Sequence, residues 1–260
     1  MPDLIAYGEP MIEFNQTGGG ATYLQGFGGD TSNAAIAAAR QGASAGYLTA
    51  LGDDPYGRMF RALWSEEGVD HAHVKTDPGA PTAVYFVTHD ERGHHFSFFR
   101  KGSAASRYAP ADVPESYLAG AKILHVSGIS LAISETACDA GFAAMESARR
   151  AGVRVSFDTN LRLKLWPRAR ARAVITEAIR MSDICLPSFD DITALGGPDT
   201  PDAVIDWALG LGVGIVALKM GGEGAIVADA ARRVAVPPHP CRPVDATGAG
   251  DCFGGAFLAR

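Results

Sequence analysis

The stretch Val244-Asp245-Ala246-Thr247-Gly248-Ala249-Gly250-Asp251-Cys252-Phe253, running on as GGAFLAR to residue 260, decides how the rest of the chain is read. It follows the β-like run RRVAV (232–236) and a proline-rich connector, and it opens a helix-compatible run of small and apolar residues. Glycines let the backbone turn tightly and direct successive N–H groups at one point. A following helix N-terminus adds partial positive charge, so the turn suits an anion, most often phosphate. Asp251 as a phosphate ligand would repel its target. An acidic side chain beside an anion hole is better used as a base on the group attacking that phosphate. The competing reading is a glycine turn with Asp251 as a helix cap.

Working outward, 260 residues suffice for one large domain or two small ones, and no low-complexity linker divides the chain. Hydrophobic residues at 47% against 20% charged argue for a folded protein rather than a disordered one. The net charge of -6 disfavours a nucleic-acid partner, because a phosphate-backbone surface needs the opposite sign. No window approaches the ~18–20 apolar residues that span a bilayer, so no membrane partner is expected. The N-terminus MPDLIAYGEPMIEFN lacks the basic and apolar regions of a signal peptide. Cys138, Cys185, Cys241 and Cys252 are scattered without C-x-x-C spacing, which reads as reduced thiols in a cytoplasmic protein.

Short apolar runs alternate with segments of helical spacing. Leu4 to Tyr7 reads as a buried strand, TSNAAIAAARQGA (31–43) as a helix stopped at Gly42, AGYLTALG (45–52) as a strand, and MFRALWSEEGV (59–69) as a helix ended by Gly68. The rhythm continues through KILHVSG, CDAGFAAMESARRAG, VRVSFDTN, ARAVITEAIRMS, DICLPS, AVIDWALGLG and GIVALKMG. This predicts an α/β fold with a largely parallel sheet covered by helices. PTAVYFVTHDERGHHFSFFR (81–100) departs from the pattern. It reads as a hairpin around DERG, and with MIEFN…ATYLQGF it predicts strands outside the main sheet, a flap that excludes water during group transfer.

Further motifs each carry two readings. FGGDTSNAA (27–35) presents glycines for close approach of a hydroxylated ligand and Asn33 as donor and acceptor, or a capped strand-to-helix turn. SFDTNLRLKLW (156–166) sets Asp158, Asn160 and Arg162 just past a strand's carboxyl end, where Arg162 suits a carboxylate or phosphate, or a structural ion pair. LKMGGEG (218–224) places Lys219 before a glycine turn, a nucleotide contact or a plain turn. Arg100 and Lys101, at the end of the flap, suit an acidic substrate or a solvated strand end. His71, His73, His94 and His95 flank a helix end and a hairpin turn without a partner carboxylate at ligand spacing, so they read as surface residues. No G-x-x-x-x-G-K-[ST] loop occurs, and GEPMIE after the first strand is not G-x-G-x-x-G.

Taken together, GGDTSNAAIAAARQGA…LTALGDDPYG and DATGAGDCFGGAF, in that order, resemble the two signatures of the ribokinase-like (PfkB) carbohydrate kinases, and the similarity spans the chain. GEPMIEFN, FRKGSAAS, HVSGISLAIS and DTNLRLKLW look most like the 2-keto-3-deoxygluconate kinases of that family. The resemblance implies a three-layer α/β sandwich over residues 1–260, with lid strands from about 11–27 and 80–101. It implies ATP as phosphoryl donor, Mg2+ as helper, a sugar acid as acceptor, and a homo-oligomer formed through the lid strands. Carried over, Asp251 takes the proton from the sugar's primary hydroxyl, and the N–H groups of Gly248, Ala249 and Gly250 form the anion hole. Gly29, Asn33, Tyr85, Arg100 and Arg162 match sugar-acid contacts. Asn160, Arg162, Ser188 and the stretch from Lys219 through Gly221 to Gly224 match nucleotide contacts.

Three departures accompany the likeness. Phe98 and Phe99 stand where these kinases usually carry tyrosines. Ser188-Phe189-Asp190-Asp191 stands where the family shows its magnesium-associated N-x-x-E, which makes Asp191 the replacement, acting directly or through water. Family members also continue past the GAGD helix with helices that cover the adenine, so a C-terminally shortened kinase with weak ATP binding is expected, its Phe253, Phe257 and Leu258 short of packing partners. Two further readings stand beside the sugar-acid kinase: a neutral-sugar kinase of the fructokinase or ribokinase kind, and a non-catalytic sugar-binding module.

Overall fold

Strands buried on both faces read as short unbroken apolar runs, and parallel pairing under two layers of helices is what such runs satisfy. The computed structural model describes every residue except Gly19, Glu91, Arg92, Pro243, Val244 and Asp245. Among the described residues nine strands make the central sheet, in the order Arg233–Val236, Ala225–Ala228, Ile215–Lys219, Ile184–Leu186, Arg154–Asp158, Ile123–Ser127, Leu4–Tyr7, Ala45–Leu48 and Val69–Asp70. From Ile215–Lys219 onward the neighbours run parallel, and the first two form an antiparallel edge.

Side-chain alternation along Leu4–Tyr7 divides the molecule into layers. Ile5 and Tyr7 pack with Ala144, Ile175 and Val204 of the helices Glu135–Arg150, Arg168–Arg180 and Pro201–Gly210. Leu4 and Ala6 point the other way, toward Ala35 and Ala38 of the helix Asp30–Arg40, Phe60 and Trp64 of Pro55–Glu66, and Leu258 of the terminal helix Ala249–Leu258. The helix-covered, largely parallel sheet expected from the alternating pattern is present, in the three layers that the resemblance implies. Hydroxyl and carboxylate caps fix the helix starts: Ser134, Thr200 and Asp54 accept from Ala137, Ala203 and Gly57.

Two expectations change. The run AGYLTALG is two strands, because the chain leaves the central sheet at Thr49 and Ala50–Gly52 pairs with Lys75–Asp77. The N–H of Gly52 there donates to Thr82 Oγ1 at 3.0 Å, and Thr82 N–H donates to Asp54 at 2.7 Å, which ties the break to the helix cap. The terminal helix, moreover, is seated. Leu258 is buried with Ala38, Ile184 and Leu186, and Phe253 and Phe257 pack partly against the same cluster. A Cβ on Gly255 would stand 2.1 Å from the Ala34 carbonyl, so only glycine lets this helix approach the helix Asp30–Arg40 so closely.

The lid is a separate four-stranded sheet in the order Tyr23–Gly28, Met11–Gln16, Ala83–Asp90, Gly93–Phe99. The two hairpins read from the sequence are both there, joined by parallel pairing of Met11–Gln16 with Ala83–Asp90. Of the expected DERG turn, Glu91 and Arg92 lie outside the described residues, as do Val244 and Asp245 of the closing motif. The chain enters the lid after Leu4–Tyr7 and returns through Gly28 and Gly29 into the helix Asp30–Arg40. Gly29 has φ +114°, and a Cβ there would sit 2.7 Å from the Glu9 carbonyl, so the two stems cross at a point only glycine allows.

Candidate active site

Beneath the lid, the carboxyl ends of Arg154–Asp158 and Ile215–Lys219 meet the N-termini of Asp30–Arg40 and Ala249–Leu258, the place where α/β sheets bind ligands. Gly248, with φ +77°, turns the chain into the terminal helix. The expected anion hole needs one correction. The N–H of Ala249 donates to the Ala246 carbonyl at 3.1 Å, closing the turn, and Cys252 N–H donates to the Gly248 carbonyl at 2.9 Å as the helix begins. The first-turn donors without a backbone acceptor among the described residues are therefore those of Gly250 and Asp251. Among the described residues the Asp251 carboxylate accepts from Asn33 and Asn160 and from no N–H of its helix, so it does not act as the cap.

The Asp251 carboxylate is held from two sides. Asn33 Nδ2 donates to Oδ2 at 2.9 Å, and Asn160 Nδ2 reaches Oδ1 at 3.5 Å. The same Asn160 nitrogen donates to Asp30 Oδ2 at 2.8 Å. Asn160 itself has φ +27°, and its N–H is fixed by Asp158 Oδ1 at 3.0 Å. Lys219 Nζ lies 2.5 Å from Asp158 Oδ2. Burial pushes Asp251 up to about 7, with the neighbouring Asp30 and Asp158 adding to the rise and Asn33 and Lys219 opposing it. A carboxyl half-ionised near neutral pH is suited to accept a proton from an attacking hydroxyl.

On the side expected to border a nucleotide, an isolated parallel bridge joins Ser188 and Lys219 beyond the end of the strand Ile184–Leu186. The N–H of Ser188 donates to Thr159 Oγ1 at 3.2 Å. Asp191 Oδ2 accepts from Thr159 Oγ1 at 3.0 Å and from Leu161 N–H at 3.1 Å, and burial raises its affinity for a proton. Arg162 is exposed, with Nη1 donating to the Leu161 carbonyl at 2.8 Å. Gly221 and Gly224 form a tight turn with positive φ, and a Cβ on Gly224 would stand 2.2 Å from the Val236 carbonyl.

The lid residues are engaged within the protein. Arg100 Nε donates to Glu9 Oε2 at 2.7 Å, and Nη2 lies 2.5 Å from the same oxygen, an ionic contact rather than a second aligned hydrogen bond. Ser103 Oγ donates to the other oxygen of Glu9 at 2.7 Å. The expectation that Arg100 stands open to a substrate carboxylate is thereby corrected: a buried carboxylate of the chain already neutralises it. Lys101 is exposed. Tyr85 donates its hydroxyl to Glu13, so its substrate contact too would have to compete with a partner in the lid. Phe98 stacks on Tyr85 at 5.5 Å and lies under the Arg100 guanidinium at 5.8 Å.

Glu9, Glu13, Asp30 and Thr159 were not singled out in the sequence. Asp30 stood inside the quoted FGGDTSNAA, and its place at the first turn of a helix beside Asn33 was the available signal. Glu9 offered no local signal, because its partner is 91 residues away. The histidines are accounted for separately. His71 bonds Ser65, His73 packs on Tyr117, His95 pairs with Asp90, and His94 packs on His89.

Comparison with known proteins follows the same lines. The family description "pfkB family carbohydrate kinase" matches residues 1–260. A 2-dehydro-3-deoxygluconokinase from Thermoproteus tenax is 37% identical, covering 100% of this chain and 82% of the relative. Fructokinase-1 from Oryza sativa subsp. japonica is 36% identical, covering 99% of this chain and 82% of its own. A crystal structure of fructokinase from Vibrio cholerae O395, in a form with fructose, ADP and calcium ion bound, superposes with a TM-score of 0.88 at 30% identity, covering 99% of this chain and 83% of that one.

Proposed function

From the premise that the chain belongs to the pfkB family and is an ATP-dependent sugar kinase, we propose that it phosphorylates the primary hydroxyl of a sugar acid, converting 2-keto-3-deoxygluconate to its 6-phosphate. The observation that carries the chemistry is Asp251, half-buried at the first turn of the terminal helix and held by Asn33 and Asn160. Asp251 takes the hydroxyl proton as the sugar oxygen attacks the γ-phosphorus of ATP. The bond from that phosphorus to the β–γ bridging oxygen breaks, ADP leaves, and Asp251 ends protonated. The N–H groups of Gly248 and Gly250, joined by that of Asp251 and with the helix N-terminus behind them, receive the charge on the transferring group.

In this reading Gly29 and Asn33 shape the sugar side, and Ser188, Lys219, Gly221, Gly224 and Asn160 border the nucleotide. Arg162 serves the acid group or a phosphate. Among the described residues no three His, Cys, Asp or Glu side chains are placed to share one metal ion. Mg2+ carried on nucleotide phosphates and water needs only one or two carboxylates. Asp191 fits as the residue that would hold it through water, and the ion would supply charge neutralisation on the phosphates. A homo-oligomer paired through the lid belongs to the same reading, with Phe96, Phe98 and Phe99 exposed on its outer strand.

The ion pair between Glu9 and Arg100 favours a second reading, a neutral ketose such as fructose, because Arg100 then needs no substrate carboxylate. A coupled ADP-release screen across sugar acids and neutral sugars separates the two. Turnover with 2-keto-3-deoxygluconate far above fructose supports the first, and the reverse order overturns it.

A further inference from the structure

Asp30 is the acidic residue in the first turn of its helix, and only 9% of its surface is exposed. One of its oxygens accepts from Asn160, while the other, Oδ1, is buried and has no hydrogen-bond donor among the described residues. A carboxylate oxygen without a donor keeps its charge undiminished toward its neighbours. One group its charge acts on is the Asp251 carboxylate. One amide nitrogen, Asn160 Nδ2, serves both, so the two bonded oxygens are at most about 6 Å apart, a range at which like charges repel strongly in a site with little water.

The other groups around Asp251 divide by element. On the strand Arg154–Asp158, Asp158 adds to the repulsion, while on Ile215–Lys219 the Lys219 ammonium opposes it. On Ile123–Ser127, His125 is fully buried, bonded to Ser156, and pushed down to about 4 by burial, so it is neutral at working pH. Tyr47 lies near both aspartates, and burial holds its hydroxyl protonated. Cys252 follows Asp251 on its own helix; though its surface is exposed, partial desolvation and the Asp251 charge raise its proton affinity, against Arg40. Next to burial itself, Asp30 is the strongest influence raising Asp251.

We propose that Asp30 is a positioning residue for the base: through the shared Asn160 amide it orients Asp251, and its unpartnered charge makes Asp251 a stronger base than an isolated aspartate. The inference rests on the reading of Asp251 as the base, but its test does not depend on turnover. In the intact chain carrying 13C-labelled aspartate, the Asp251 carboxyl resonance, assigned with Asp251→Asn, is titrated in wild type, Asp30→Asn and Asp30→Glu. Asp30→Asn should lower the Asp251 midpoint by about one pH unit or more, and Asp30→Glu should leave it near wild type. The acid limb of kcat/KM should move with it, so that Asp30→Asn outperforms wild type at pH 5.5 and falls behind at pH 8. Should Asp30→Asn not fold, Asp30→Ser makes the same comparison. An unmoved or raised midpoint in the folded neutral variant overturns the proposal, as does an equal loss of kcat at every pH with the limb in place. Absence of turnover in wild type would instead count against the kinase assignment, while the titration still decides the role of Asp30.

Discussion

In the floor of the site three carboxylates, Asp30, Asp158 and Asp251, face one ammonium group, Lys219, whereas at the stems of the lid Glu9 and Arg100 are matched one to one. Both sets are largely buried, so the difference is in balance rather than in setting. Burial first, and then the excess of negative charge, raise Asp251 to about 7, and one oxygen of Asp30 has no donor among the described residues. The lid pair leaves little charge over: burial raises Glu9, and the Arg100 guanidinium and Ser103 hydroxyl draw it back. In the proposed mechanism the imbalance keeps a base reactive, while the balance holds two chain segments together where the lid joins the body.

Breaking the floor should therefore cost rate, and breaking the stem should cost stability. Asp251→Asn should lower kcat by ~10²–10⁴-fold with ATP affinity nearly unchanged, read by ADP release and calorimetric ATP titration. Its thermal midpoint at pH 8 should not fall, because the substitution removes a charge from an overcharged cluster. Near-normal turnover in this variant would remove Asp251 from the mechanism.

Glu9→Gln should do the opposite. Leaving Arg100 buried without its partner should cost about 3–5 kcal/mol, measured by urea denaturation, and a change below about 1 kcal/mol would show that the pair behaves as a solvated surface bridge.

That contrast also marks what the sequence could reveal. The floor motif was legible because Gly248, Gly250 and Asp251 are neighbours in the chain and act through a helix N-terminus, a local structure. Asn33 and the alanine-rich helix were legible for the same reason, as were both hairpins of the lid, whose alternating apolar and aromatic residues are set by strand geometry. What escaped depends on distant partners. Asn160 bridges Asp30 and Asp251 across separations of 130 and 91 residues, and Glu9 meets Arg100 across 91. Nothing within either segment signals such a pairing. The Ala249 N–H escaped differently: a single hydrogen bond to Ala246 takes it out of the anion hole, a detail of turn geometry that glycine spacing does not specify.

A smaller effect sharpens the contrast on the substrate side. Arg162 is exposed and makes only a backbone hydrogen bond, unlike Arg100. If Arg162 reads an acid group, Arg162→Ala should raise KM for a sugar acid by roughly ten- to a hundredfold, the equivalent of one charge-assisted hydrogen bond, and should scarcely alter KM for a neutral sugar. Equal increases for both would assign Arg162 to the nucleotide or to the fold.

If a buried, overcharged floor sets the strength of the base, the pH dependence of sugar-dependent ADP release must report it. Asp251 must be ionised to accept the proton, and its raised proton affinity places that ionisation near pH 7. The ratio kcat/KM should be level above about pH 8 and fall roughly tenfold per unit below about pH 7, with this limb lost in the residual activity of Asp251→Asn. A profile flat down to pH 5, or a limb at the ordinary aspartate value near pH 4, would contradict it.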